Sequence, residues 1–135
     1  MKELTLKALV ENLPRVTEFI DEQLEGCDCP LKAQMQIDVA IDELFGNIAH
    51  YAYGEGTGDA TVRFEYDASG RRAIIDFVDG GEPFNPLERD DPDVSLSAAE
   101  RAVGGLGIFL VKKTMDEVRY RRQDGLNVLT IIKKF

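Results

Sequence analysis

The sequence predicts an α/β two-layer sandwich, in which a mixed, mostly antiparallel sheet carries helices on one face. Three observations lead to this prediction. Apolar residues recur with strand and helix periods in the order β-α-α-β-β-α-β-β, and short turns join consecutive strands. A chain of 135 residues, 44% of them hydrophobic, can bury one core but not two. We therefore expect a single domain over residues 1–135, without internal repeats or linkers.

The first part of the chain is predicted to form an edge strand and two helices. Residues 3–8 alternate polar and apolar side chains, as a short edge strand does. Apolar residues at helical spacing predict a first helix over residues 14–26, with a proline in its first turn. A second helix is predicted over residues 31–53, because Gly54 is well suited to end it.

Two strands and a long acidic segment follow. Residues 60–66 and 73–78 have strand character and are joined by a turn at residues 67–70, and the second strand is apolar enough to be central. Residues 87–103 are acidic and contain Pro and Ser, and so long a connection in a compact domain predicts a mobile lid. The alternative is a surface loop with a short helix near residues 97–101.

The last part of the chain is predicted to form a helix and a hairpin. Gly104-Gly105-Leu106-Gly107 opens a helix whose apolar positions continue to Met115. Strands are predicted at residues 117–122 and 127–133, joined by a turn at residues 123–125.

Composition excludes several classes of function. The net charge of -9 and the pI near 4.6 oppose binding to a nucleic-acid backbone. No segment approaches the roughly 18 to 20 apolar residues that cross a bilayer, and the N-terminus has no apolar signal core, so we expect a cytoplasmic protein without membrane contact. Cys27 and Cys29 have no second cysteine pair and no nearby His, which favours two free thiols over a zinc site.

The second helix carries the first candidate motif. Its apolar residues share one stripe, whereas Glu43, Asn47 and His50 lie within about 40° of each other on another. The carboxylate of Glu43 can take a proton or face a cation, and the carboxamide of Asn47 offers a neutral oxygen ligand. The alternative interpretation is a solvated helix face.

Two further motifs follow in the chain. Asp79 ends a buried strand, where its carboxylate can accept a hydrogen bond from an exocyclic amine, and Gly81 would let a flat ring approach the backbone. Gly104-Gly105-Leu106-Gly107 stands at a helix N-terminus, where unpaired N–H groups and the helix dipole favour phosphate. Taken separately, the first motif also fits an ordinary turn and the second fits tight packing.

The order of these motifs resembles a known pattern. Glu43 to Asn47, Asp79 to Pro86 and Gly104 to Val118 match in type and order the three boxes of the GHKL ATP-binding superfamily of gyrase, heat-shock chaperone, histidine kinase and MutL domains. Within it, the chain is most similar to the bacterial anti-sigma factor serine kinases. The resemblance extends over nearly the whole chain and implies a Bergerat-type ATP-binding fold.

The resemblance also implies a site for ATP and Mg²⁺. In such a site Asn47 would ligate Mg²⁺, Asp79 would bind the adenine amino group, and Gly81 would flank the base. Thr130, on the last strand, stands where such domains often have a hydroxyl that supports adenine.

Phosphate and catalytic residues follow from the same resemblance. Gly104, Gly105 and Gly107 would cradle the phosphates, and Glu43 is similar to the residue proposed as general base for a protein serine hydroxyl. Many relatives carry His-Ala-Tyr four residues after the Asn, whereas this chain has Tyr-Ala-Tyr there and His50 one position earlier. His50 either faces the site or is an ordinary surface group.

The implied function is that of an anti-sigma regulatory factor with protein serine kinase activity. It would phosphorylate a serine of an anti-sigma factor antagonist and sequester a sigma factor, so that phosphorylation decides which partner is bound. A homodimer is a further expectation from the resemblance. The alternative is a catalytically silent module that binds nucleotide and sequesters a partner.

Overall fold

The computed structural model describes residues 1–88 and 106–135 of the chain. Eight helices and strands organise this part, in the predicted order: β1 Lys2–Lys7, α1 Leu13–Gly26, α2 Leu31–Asn47, β2 Asp59–Asp67, β3 Arg72–Asp79, α3 Leu106–Thr114, β4 Glu117–Gln123 and β5 Leu126–Lys134. Single 3-10 turns at Val10–Asn12 and Pro86–Glu88 and a π-helical turn at Ile48–Ala52 complete it.

The five strands form one sheet in the order β1-β2-β3-β5-β4. Each of the four strand pairings in the described part of the chain is antiparallel, so the predicted mixed character of the sheet is not found there. Sequence pattern alone does not determine which strand pairs with which, because pairing depends on contacts far apart in the chain. β1 lies at one edge, as predicted, and β3 lies in the centre.

The hydrophobic core lies between one face of the sheet and the helices. Phe45 of α2 and Phe77 of β3 are among its largest fully buried side chains. Val16, Ile20 and Leu24 line the buried stripe of α1, as their helical spacing predicts. On β3 and β5 the odd-numbered residues face this core. Ile75 pairs across the sheet with Ile131, Phe77 pairs with Leu129, and all four side chains belong to the core cluster.

The predicted second helix has an unpredicted ending. It is regular from Leu31 to Asn47 and then continues as the π-turn Ile48–Ala52 before Gly54, with a φ of +57°, redirects the chain. A π-turn inserts an extra residue into the helical repeat and changes the direction of the side chains that follow it. The side chains after Asn47 therefore point in directions that a regular α-helix would not give them.

The predicted lid is only partly within the described residues. Leu87 and Glu88 belong to the 3-10 turn Pro86–Glu88, and residues 89–103 lie outside the described part of the chain. No helix among the described residues is both long enough and apolar enough to span a membrane.

Candidate active site

A cleft opens between the C-terminal end of α2 and the sheet. Its volume is about 490 Å³, including the part open to solvent. It is lined mainly by apolar side chains, with a carboxylate and two carboxamides among them: Leu44, Asn47, Ile48, Tyr51, Ala52, Phe77, Asp79, Phe84, Pro86, Tyr120, Asn127 and Leu129. An apolar cleft with a few convergent polar groups is the usual form of a small-molecule site.

Asp79 is the buried carboxylate of this cleft. β3 ends at this residue, and only 6% of it is exposed. Its Oδ1 accepts hydrogen bonds of 2.9 Å from the Gly81 backbone N–H and from Nδ2 of Asn127. Its Oδ2 has no hydrogen-bond partner among the described residues and remains an acceptor for a ligand N–H group.

Asn127 belongs to none of the predicted motifs. It pairs directly with Asp79 across β3 and β5, and it is 6% exposed. Its Nδ2 donates to Asp79 Oδ1 and, over 2.8 Å, to the Glu82 carbonyl. Its Oδ1 accepts from the Tyr120 hydroxyl over 2.5 Å and from the Phe84 N–H over 3.3 Å. The sequence does contain an indication of its role. Asn127 is polar, although it alternates with the core residues Leu129 and Ile131 on the same side of β5.

The segment after β3 is held in place by three side chains from other parts of the chain. The Tyr53 hydroxyl accepts the Gly80 N–H over 2.8 Å and donates to the Asp59 carbonyl over 2.5 Å. Arg122 Nη1 donates to the Gly81 carbonyl over 2.8 Å. Together with Asn127, these contacts fix the backbone on one side of the cleft.

Gly81 allows two backbone segments to lie close together. A Cβ at this position would overlap the carbonyl of Ala52 in the π-turn, and the neighbouring Glu82 N–H donates to that carbonyl over 3.0 Å. Gly81 does not itself line the cleft. Its lack of a side chain lets the segment after β3 approach the π-turn, which closes one wall of the cleft.

Glu43 and Asn47 lie one turn apart on α2, as predicted, and interact directly. Asn47 Nδ2 donates to Glu43 Oε1 over 3.3 Å, and both side chains are partly exposed. Gly107, near the start of α3, packs against Glu43 so closely that a Cβ there would overlap the carboxylate. The structure therefore brings Glu43, Asn47 and Gly107 together next to the cleft that contains Asp79.

The sequence that forms this site matches a known family. The family model of the histidine kinase-like ATPase domain matches residues 6–133. The chain belongs to this family. Its cleft, its Asn47 and its strand-end Asp79 are therefore parts of a histidine kinase-like ATPase domain.

Curated relatives of this ATPase domain are protein kinases by name. The serine/threonine-protein kinase BtrW of Bordetella bronchiseptica is 25% identical over 100 residues, which are 74% of this chain and 70% of BtrW. The serine-protein kinase RsbW of Bacillus cereus is 30% identical over 95 residues, 67% of this chain and 58% of that protein. RsbW of Listeria monocytogenes is 30% identical over 98 residues, 69% of this chain and 61% of that protein. The chain thus spans less than two thirds of these two RsbW proteins.

Thr130 lies outside the cleft of this ATPase domain. As an even-numbered residue of β5 it points to the sheet face opposite the helices, where its hydroxyl donates to Asp76 Oδ1 over 2.5 Å. Support of adenine by Thr130 is therefore incompatible with this geometry. Asn127, three residues earlier and on the other face, occupies the corresponding place beside Asp79.

The predicted phosphate-binding glycines and His50 differ in where they lie relative to the cleft and to the described residues. Gly104 and Gly105 lie outside the described residues, whereas Gly107 is described. His50 is exposed, is not among the residues that line the cleft, and has its ring 6.0 Å from that of Tyr51. Tyr51 lines the cleft instead, since the π-turn changes the direction of the side chains after Asn47.

The donor set fits a metal ion that arrives with a nucleotide. Among the described residues, no group of three or more His, Cys, Asp or Glu side chains could hold a metal. Asn47 Nδ2 is engaged by Glu43, and its Oδ1 has no hydrogen-bond partner in the described part of the chain. Mg²⁺ in nucleotide sites commonly takes one or two protein oxygens together with phosphates and waters. Asn47 Oδ1 meets that requirement.

The two cysteines are free thiols, as predicted. Burial raises the pKa of Cys27, and it raises the pKa of Cys29 to about 11, with the adjacent Cys27 and the carboxylates of Asp38 and Asp21 adding to the effect. Both thiols are therefore protonated at neutral pH. A protonated thiol is a poor nucleophile and a poor metal ligand.

Proposed function

We propose that this ATPase domain is a protein serine/threonine kinase that transfers the γ-phosphoryl group of Mg-ATP to a serine of a partner protein. The observation that carries the proposal is the position of Asp79 Oδ2, an available acceptor in an apolar cleft whose rim also presents Asn47 beside Glu43. To bind a purine nucleotide and transfer its phosphoryl group, a kinase needs the residues that hold the base and the residues at the phosphates on the same side of the fold.

Recognition of adenine is assigned to Asp79. Its Oδ2 would accept a hydrogen bond from the exocyclic amino group, while apolar cleft residues such as Phe77 and Leu129 contact the ring. Guanine presents a carbonyl oxygen at the equivalent position, and two acceptors facing each other repel. The cleft should therefore prefer ATP over GTP.

The phosphates are assigned to the rim formed by Asn47 and the start of α3. Asn47 Oδ1 would hold Mg²⁺, which would neutralise charge on the phosphates. The N-terminus of α3, at Leu106 and Gly107, would offer its first backbone N–H groups to an anion. From the sequence alone, Gly104 and Gly105 are proposed to join them.

Glu43 is proposed as the catalytic residue. Its carboxylate would orient the serine hydroxyl and accept its proton as the serine oxygen bonds to the γ-phosphorus. The bond from that phosphorus to the β,γ-bridging oxygen breaks in the same step, and ADP leaves. Asn47 Nδ2, bonded to Oε1, holds the carboxylate for this role.

The partner is proposed to be an anti-sigma factor antagonist, and the domain is proposed to sequester a sigma factor in competition with it. The switch would operate in the cytoplasm, and the domain would act there as a homodimer. Support for these partners comes from the resemblance of the motifs, and the kinase names of BtrW and RsbW support the transfer of phosphate.

Phosphate transfer tests the proposal directly. The purified chain is incubated with γ-labelled ATP, Mg²⁺ and an anti-sigma factor antagonist, and label on the antagonist is compared for wild type and Glu43→Gln. We expect transfer by wild type and a large loss in the variant. Antagonist binding without any transfer by wild type would replace the kinase with the catalytically silent binding module.

A further inference from the structure

An apolar groove lies on the surface between α2 and α3. We call it the α2–α3 groove. Five residues of α2 and two of α3 line it: Leu31, Lys32, Met35, Gln36, Val39, Leu110 and Thr114. Four of these are large apolar side chains that are strongly exposed: Leu31 by 70%, Met35 by 59%, Val39 by 54% and Leu110 by 43%. Exposed apolar residues are ordinary when single, but a contiguous set marks a surface that binds something.

Both walls of the α2–α3 groove lead to Glu43. On α2, Val39 is one turn before Glu43 in the same i, i+4 row. On α3, Leu110 is one turn after Gly107, which packs against the Glu43 carboxylate. The distance along α2 from the Leu31 end of the groove to Glu43 is about 18 Å, from the rise of about 1.5 Å per residue. A helix of about three turns would fill this length.

The charge of the groove indicates the chemistry of its occupant. Among the described residues that line the groove, Lys32 is the one that carries a charge, although the chain as a whole has a net charge of -9. Lys32 makes no ion pair with any residue in the described part of the chain. An occupant with a carboxylate opposite Lys32 would complement it. A second copy of this chain fits less well, because an isologous contact would bring two identical lysines and two acidic chains together.

We propose that the α2–α3 groove docks the protein that receives the phosphate, through an amphipathic helix with an apolar stripe and an acidic residue that pairs with Lys32. This rests on the proposed kinase function and adds the surface that holds the substrate. Apolar side chains of the helix cover Met35, Val39 and Leu110, and the chain beyond its end reaches Glu43 with the serine. Docking of an amphipathic helix in an apolar groove is a common form of protein recognition.

The experiment measures docking and the nucleotide site separately. The variants are Met35→Glu, Val39→Glu and Lys32→Glu, and the control is Val10→Glu, which changes a residue 49% exposed and outside the groove. The probe is the same anti-sigma factor antagonist as in the phosphate-transfer assay. Each protein is assayed for its KM and kcat with the antagonist, for stabilisation by Mg-ATP, and for self-association by sedimentation.

We expect each groove variant to raise the KM for the antagonist at least ten-fold, with kcat at saturation and stabilisation by Mg-ATP as in wild type. The control should keep the wild-type KM. Lys32→Glu should also remove most of the salt dependence of the KM.

Three results would overturn the proposal in distinguishable ways. An unchanged KM in the groove variants would mean that the substrate docks elsewhere while the kinase function stands. A shift from dimer to monomer with an unchanged KM would make a second copy the occupant. Failure of wild type to phosphorylate the antagonist would remove the kinase function and the docking role together.

Discussion

Asn127 Nδ2 donates a 2.9 Å hydrogen bond to Asp79 Oδ1, and the two residues are direct cross-strand partners on β5 and β3. The bond leaves the other carboxylate oxygen of Asp79 for a ligand. The Tyr120 hydroxyl in turn donates a hydrogen bond to Asn127 Oδ1, which fixes the orientation of the carboxamide. Asn127 thus positions the group that is proposed to recognise adenine.

Asn127→Ala is expected to weaken ATP binding about ten-fold and to destabilise the fold by about 1–3 kcal/mol. The reason is that Asp79 and the Glu82 carbonyl each lose a buried hydrogen-bond donor. Calorimetric titration with Mg-ATP and urea unfolding measure the two effects. Thr130→Val is the control, because Thr130 lies on the other sheet face. The control variant should keep the wild-type dissociation constant for ATP. Weaker ATP binding in the control alone would contradict this arrangement.

Asp79→Asn is expected to abolish the preference for ATP. The carboxamide can present a donor where the adenine amino group needs an acceptor, whereas its volume is almost unchanged. In wild type, Mg-ATP at 100 times its dissociation constant should add about 2.7 kcal/mol to the free energy of unfolding. Thermal unfolding with ATP and with GTP measures this stabilisation. A full ATP shift in the variant would mean that Asp79 does not contact the base.

Gly81→Ala is expected to destabilise the fold by about 1–3 kcal/mol, because the new methyl group would overlap backbone atoms of Ala52 that cannot rotate away. Gly46→Ala is the matched control. Gly46 lies in α2 with open space at its Cβ position, so this change should be neutral or stabilising by up to about 1 kcal/mol. Urea unfolding of both variants makes the comparison.

Gly107→Ala is expected to impair transfer more than stability. The added methyl group meets the end of the Glu43 side chain, which can rotate away but then leaves the position held by Asn47. We expect kcat to fall at least ten-fold while the unfolding midpoint in urea changes little. Transfer at the wild-type rate would show that the contact between Gly107 and Glu43 is not needed for activity.

Asp38 is expected to make the fold less stable above neutral pH. Burial raises its pKa to about 7, and a hydrogen bond with Asp21 and repulsion from Asp21 and Asp42 add to the rise. Because the folded-state pKa lies above the ordinary 3.8, the contribution to stability is complete below pH 3.8 and is lost as the pH rises through 7.

Urea unfolding at pH 6 and pH 8 measures this effect. The free energy of unfolding should fall by about 1 kcal/mol between them, since solvent screening reduces the effect at a partly exposed site. Asp38→Asn should remove most of the difference, because it keeps a neutral side chain at every pH. An equal fall in the variant would assign the pH dependence to other groups.

The elements of the fold were predictable from the sequence because helix and strand periods are local. The predicted strand at residues 73–78 and the observed β3 at Arg72–Asp79 differ by one residue at each end, and α1 was placed with similar accuracy. Asp79, Asn47 and Glu43 are predicted as site residues because their order and spacing along the chain resemble a family pattern.

Some features of the site depend on contacts that the local pattern does not contain. Thr130 and Asn127 belong to the same strand, but the pairing of β5 with β3 puts only the odd-numbered residue on the side of the cleft. Likewise, the π-turn after Asn47 brings Tyr51 to the cleft and leaves His50 exposed.

The sequence by itself determined the elements, their order and the family of this protein, since these depend on neighbouring residues and on motif order. Only the tertiary structure decided that Asn127 positions Asp79, that Gly81 packs against Ala52, and that the α2–α3 groove leads to Glu43. The physical reason is that each of these contacts joins residues from different elements. Their meeting depends on strand register and helix packing, which a single sequence does not reveal.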